Sequence, residues 1–147
     1  MPFMTVPVPA PCVQAVAAKY GVPPAVLYAM LKTEAGVPGK SHKNKDGSRD
    51  WGPMQINDRW FVFSGSEIRR KFPEIAPADI KTDPCVNLDV AGWILWSNLQ
   101  RDHNLWKAIG HYHSFRKREA IRYRHMVWRW YWRIRRYWRK QTMFVSR

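Results

Sequence analysis

Glu34 closes an apolar stretch in which Val26, Leu27, Met30 and Leu31 recur at helical spacing, so its carboxyl shares a face with Leu27 and Leu31. A carboxyl set against apolar side chains resists ionisation, because desolvation disfavours the charged form. The negative end of the helix dipole pushes in the same direction. A carboxylic acid that keeps its proton near neutral pH is what acid-catalysed cleavage of a glycosidic bond requires. Taken alone, the residue also reads as an exposed Glu at a frayed helix end. A second segment, twelve residues downstream, shifts the balance. The run D-G-S-R-D-W-G-P-M-Q-I-N-D-R-W begins at Asp46 and ends at Trp60.

Within that run, Gly52 permits close backbone approach, Met54 offers a thioether to pack a sugar face, and Gln55 and Asn57 offer amides for hydroxyls. Met54 by itself would be core and Gln55 by itself surface; their register after Glu34 gives them meaning. Asp50 reads equally as a second carboxylate or as a turn cap. His111 and His113 alternate, but no Cys or acidic ligand stands at a site-forming spacing, so no metal site is expected. No G-x-S-x-G setting is present for Ser-His-Asp chemistry. Glycosidic cleavage of this kind needs no cofactor, and none is expected.

Several elements must position these groups. Residues 2–11 hold four prolines and read as an extended lead-in, followed by a short helix from Val13 to Tyr20 that Gly21 ends. Pro23 and Pro24 suit the first turn of the Glu34 helix, which Gly36 and Pro38 stop. Lys40 to Arg49 is polar and reads as a loop or short hairpin. Ile68 to Ile80 is a loose helix–turn region. Asp83 as N-cap and Pro84 at N1 start a helix with Leu88, Ala91, Leu95 and Leu99 on its core face. Asn104 caps another, carrying Ala108, Ile109 and Tyr112. From Arg116 to Lys140 a long amphipathic helix is predicted, with Ala120, Tyr123, Val127, Tyr131, Ile134 and Trp138 on one face. Arg118, Arg122, Arg129, Arg133, Arg136 and Lys140 line the other.

The chain has 147 residues, 46% of them hydrophobic, enough for one domain with its own core and an appendage. No apolar run approaches the roughly 20 residues of a membrane span. The net charge is +14, and it is concentrated: residues 115–147 hold 12 Lys/Arg and one Glu. Such asymmetry points to an anionic partner. Trp128, Trp130, Trp132 and Trp138 among arginines fit three readings: a helix packed on the domain, an interfacial helix on acidic lipid or envelope polymer, or phosphate and base contacts with nucleic acid. The last is the least favoured. Cys12 and Cys85 are compatible with one bridge in an oxidising compartment or with two buried thiols. The N-terminus shows no basic segment followed by an apolar core, so no leader is visible.

The Glu helix followed by G-P-M-Q and a distal Tyr112 resembles the lysozyme-like superfamily and, within it, the soluble lytic transglycosylases. The resemblance runs from about Cys12 to Ser114 and looks closest to the small specialised transglycosylases of secretion, conjugation and pilus systems. It implies a mainly α (α+β) lysozyme-like domain over 12–114, after a lead-in at 1–11 and before a basic aromatic helix at 115–147. A small β or loop element is expected around Lys43–Ile56, beside the cleft. It further implies a Cys12–Cys85 disulfide, Glu34 as acid/base, Tyr112 hydrogen-bonded to Glu34, and Gly52, Met54, Gln55, Asn57 and His113 around the glycan. The substrate would be peptidoglycan strands, the partners secretion or conjugation apparatus, and the location the periplasm or cell envelope.

The sequence departs from the family pattern at three places: Ala35 stands where Ser is usual, Pro53 follows Gly52, and G-H-Y-H-S (110–114) replaces A-Y-N-A-G, putting His113 in the Asn place. The run 46–57 also resembles animal-type lysozymes, in which Asp50 falls on a second catalytic carboxylate. A lysozyme-type or phage-derived hydrolase, or a non-catalytic envelope-binding module, would share much of this pattern.

Overall fold

The computed structural model describes residues 5–62 and 65–145. Residues 1–4 of the expected lead-in and 146–147 of the expected extension lie outside the described residues. The described chain is mainly helical with one small antiparallel sheet, as expected of a lysozyme-like α+β fold.

Helix α1 spans Ala10–Tyr20, and Gly21 ends it in the left-handed region. It starts earlier than the proline content of residues 2–11 suggested. Pro9 is its N-cap and Pro11 sits in its first turn, where a missing N–H costs nothing. Among the described residues of the lead-in ahead of α1, Val8 is buried. Helix α2, Pro24–Glu34, follows after Pro23 and is buried continuously from Ala25 to Leu31. Ala35 caps it in the left-handed region at φ 54°, a conformation that disfavours a Cβ and forces the chain sharply away after Glu34.

The chain then forms a three-stranded sheet in the order β1 (Ser41–Lys43), β2 (Arg49–Trp51), β3 (Ile56–Asn57), where the hairpin was expected. The β1–β2 turn is held by Asp46, whose Oδ1 accepts from the amide and hydroxyl of Ser48 at 2.9 and 2.6 Å. A 3-10 turn (Asp58–Trp60) and two short helices, α3 (Glu67–Lys71) and α4 (Pro77–Thr82), lead to α5, Pro84–Asp102. Asp83 caps α5 by accepting from the amides of Cys85 and Val86. Asn104 caps α6, Leu105–His113, by accepting from Lys107 N. Each such cap contributes about 1 kcal/mol. Cys12 and Cys85 form a disulfide with Cα atoms 5.5 Å apart, tying the first turn of α1 to that of α5. Closing a loop of 73 residues contributes ~4 kcal/mol in the chain-entropy view.

Helix α7, Lys117–Val145, packs along α2 and α6. Ala120, Tyr123, Val127 and Ile134 are buried, and Tyr131 and Trp138 are half-buried, so the expected stripe is its inner face. The arginines of the expected second face are exposed. Of the three readings of this helix, packing on the domain therefore holds for one side of it. Among the described residues after 114, α7 lies against the helices that precede it.

One polar residue holds the turn between β2 and β3. Asn87, fully buried on α5, donates to the carbonyls of Trp51 and Ile80 at 2.9 Å each and accepts from Met54 N at 2.8 Å. Replacing Asn87 by Ala strands a buried amide and two buried carbonyls. We expect Asn87→Ala to cost about 3 kcal/mol, read as a lower urea midpoint with an unchanged slope.

Candidate active site

Glu34 ends α2 at the wall of an open cleft of about 490 Å³ lined also by Asp50, Gln55, Asn57, Trp60, Tyr112 and His113. The cleft lies between the sheet and the α6–α7 end of the helical body. The carboxyl is half-buried by surface area, open on the cleft side and enclosed elsewhere. That enclosure pushes its pKa up to about 8, and the nearby Asp50 adds to the rise. Tyr123 opposes it: its hydroxyl donates to Glu34 Oε2 at 2.7 Å and favours the carboxylate. At neutral pH the acid form prevails, and with Oε2 occupied by Tyr123 the proton belongs on Oε1.

The backbone around the carboxyl is tightly set. Gly36 lies against the carbonyl of Gly52, so close that a Cβ at 36 would collide with it. Gly52 has φ 73° and faces the Asn87 amide where its own Cβ would be. Only glycine satisfies both demands at 52. The Gly52 carbonyl accepts from the backbone and side-chain amides of Gln55 at 3.0 and 3.1 Å. Gln55 itself has φ 51°, one of three non-glycine residues with positive φ among those described. The turn therefore presents Gln55 to the cleft in a fixed pose.

On the opposite wall, Asn57 Nδ2 donates to Asp50 Oδ1 and to Ser48 Oγ, both at 2.9 Å. The ring of His113 stacks on Tyr123 with centroids 4.9 Å apart and planes 7° from parallel. Tyr112 and Tyr123 lie 6.4 Å apart in a looser stack. Burial and the neighbouring Glu34 raise both tyrosine pKa values well above the ordinary 10, so each is a neutral donor. A buried, protonated carboxyl in a cleft with amides across from it can deliver a proton to a glycosidic oxygen.

Residues 11–127 match the model of the family described as "Transglycosylase SLT domain". The chain belongs to this family. It is a peptidoglycan lytic transglycosylase. Among curated proteins, it is 27% identical over 121 residues to Protein IpgF of Shigella flexneri, covering 79% of this chain and 76% of that one. It is 32% identical over 115 residues to Invasion protein IagB of Salmonella typhimurium, covering 75% of this chain and 68% of the relative.

For the transglycosylase, three expected roles need correction. Tyr112 does not bond to Glu34; its hydroxyl donates to the Met54 carbonyl at 2.7 Å, bracing the turn. The tyrosine on the carboxyl is Tyr123, 89 residues away in the chain. Its place on the inner stripe of α7 was visible, but a hydroxyl on an apolar stripe reads first as core. Met54 does not face a sugar: its side chain is fully buried and lies in the core, and the cleft gains only the stiffness it gives the turn. Gly52, likewise buried, acts through its carbonyl. Asp50, Gln55, Asn57 and His113 do line the cleft. Asn44, Ile94 and Glu119 line it too and carried no motif to single them out, while Trp60 closes the 46–60 run without having been given a role.

Glu34 ordinarily ionises near 4.5 and here near 8. Below about pH 4.5 folded and unfolded chains both hold the proton. Between there and about 8 only the folded chain does, so each rise in pH withdraws stability, and above about 8 the loss is complete. Glu34→Gln should therefore melt above the parent by a margin that widens over this range, read by calorimetry from pH 4 to 9. Tyr123→Phe removes a bond that favours the carboxylate. Its pH–rate profile should keep activity further into alkali, with the maximal rate lower by ~10–100-fold; a purely structural role would lower the rate without moving the limb.

Proposed function

We propose that this transglycosylase cleaves the β-1,4 bond between MurNAc and GlcNAc with Glu34 as its single acid/base, leaving a 1,6-anhydroMurNAc end. Glu34 gives its proton to the bridging oxygen as the bond breaks. The substrate's acetamido group stabilises the developing oxocarbenium ion. The ionised Glu34 then takes the proton of the muramoyl 6-hydroxyl, whose oxygen closes on C1. The enzyme ends as it began and no water is consumed. The observation that carries this reading is one carboxyl that favours its acid form near neutrality while a tyrosine hydroxyl supports the anion formed midway.

A lysozyme-type hydrolase is the second reading, because Asp50 lines the same cleft and is oriented by Asn57. There Asp50 would act as nucleophile or stabiliser. Against it, Asp50 also sits within the Asp46–Ser48–Asn57 hydrogen-bond set that shapes the hairpin, a structural use that needs no catalytic one.

We place the enzyme in the periplasm, opening the wall locally for an envelope-spanning machine. The name of one relative, an invasion protein, supports that setting, as does a disulfide, which belongs in an oxidising compartment.

Digestion of purified sacculi and mass analysis of the fragments tests the product. Anhydro-muramoyl ends are expected; reducing MurNAc ends would establish hydrolysis instead. Glu34→Gln should lower release on the order of 10²–10⁴-fold. Asp50→Asn should lower it less than about ten-fold, whereas a loss as large as that of Glu34→Gln would favour the two-carboxylate route.

A further inference from the structure

The inner face of α7 serves the core and the site, yet the outer face is not an ordinary solvated surface. Ile121, Trp128, Trp132 and Met143 are each 41–55% exposed. Their spacing along an α-helix puts them on one outward strip. Arg118, Arg129, Arg135, Arg136, Arg139 and Lys140 are exposed around that strip. The one acidic residue of the helix, Glu119, lies at its first turn beside the cleft. A face whose purpose was solubility would carry charge without indoles, and a face meant for the core would carry indoles without charge.

The surface is also shaped. Two depressions run along this strip, each setting indoles beside guanidinium groups. Trp106 and Trp128 meet Arg124 in one of about 290 Å³. Trp132 and Trp138 meet Arg135, Arg136 and Arg139 in the other, of about 420 Å³. The indoles brace one another: Trp106 and Trp128 stand edge to face at 4.9 Å, and Trp128 and Trp132 at 5.5 Å. They are held ready at the surface.

We propose that the outward face of α7 docks on a bilayer surface rich in anionic phospholipid, with the arginines meeting headgroup phosphates and the Trp128–Trp132 strip entering the interface. Two features select this occupant. The charge is complementary to anionic headgroups, and each basic residue near such a surface adds to affinity. The strip mixes alkyl side chains, Ile121 and Met143, with indoles; a lipid interface accepts both, whereas base stacking on nucleic acid uses only the rings. No helix among the described residues is long and apolar enough to cross a membrane, and the contact proposed for α7 is one of a helix lying on the surface. The cleft opens beside Glu119 at the start of α7, so docking leaves it open to glycan while holding it within a molecular length of the lipid.

The test is co-sedimentation of the full chain with vesicles of phosphatidylcholine alone and with 30% phosphatidylglycerol. Binding to the anionic vesicles should be at least about ten-fold tighter and weaken as salt is raised. Arg135→Gln/Arg136→Gln/Arg139→Gln and Trp132→Ser should each lose about ten-fold or more, while digestion of sacculi stays at the parent rate and certifies the fold. Equal binding to both vesicle types would overturn the proposal, as would full retention by the variants. So would tighter binding to a 20-mer oligonucleotide than to vesicles, or complete competition by soluble polyphosphate with no loss in Trp132→Ser, which would mean polyanion binding alone. Self-association that removes the free face before lipid is added would assign it to a second copy.

Discussion

The cost of holding a carboxyl out of water organises this molecule. Glu34 sits where α2 ends, and distant parts of the chain close around that end: the Gly52 carbonyl of the β2–β3 turn lies against Gly36, Tyr112 of α6 braces the same turn, and Tyr123 of α7 bonds the carboxyl itself. A buried ionisable group destabilises a fold when charged, and here the penalty is met by keeping the proton. The chemistry uses the same preference, since an acid that favours its neutral form is a ready donor.

The helical body and the small sheet divide this work. The sheet supplies Asp50 and Asn57 on one wall, and its last turn supplies Gln55. The body supplies the acid and the stacked His113–Tyr123 pair. Asn87 joins the two across a buried hydrogen-bond set, and with the Tyr112–Met54 bond it fixes the turn beside the cleft. The disulfide fixes α5, the helix carrying Asn87, to α1. The two faces of α7 complete the picture: apolar residues and Tyr123 inward, guanidinium groups and indoles outward.

Much of this was legible in the residues because local rules and tertiary packing agree. Pro24 as the first residue of α2, and the caps Asp83 before α5 and Asn104 before α6, are start signals whose physics needs no partner beyond the next turn. The stripe Ala120–Tyr123–Val127–Ile134 needed only helical periodicity. What escaped depends on distant chain. Tyr123 meets Glu34 across 89 residues, and its hydroxyl gives no local signal. Asn87 near the start of a helix looks like a surface residue until the turn and α4 close over it. Met54 sits in a motif whose neighbours touch the cleft, yet the turn sends its side chain into the core and leaves Gln55 to face the cleft. The early start of α1 was hidden because a proline in a first turn and one in an extended lead-in look alike.

The most direct measurement is the titration of Glu34 itself, monitored through the side-chain carboxyl carbon resonance in protein labelled at glutamate and assigned with Glu34→Gln. A midpoint near 8 is predicted. A midpoint near the ordinary 4.5 would mean that the carboxyl is ionised and solvated at neutral pH, contradicting its role as the proton donor.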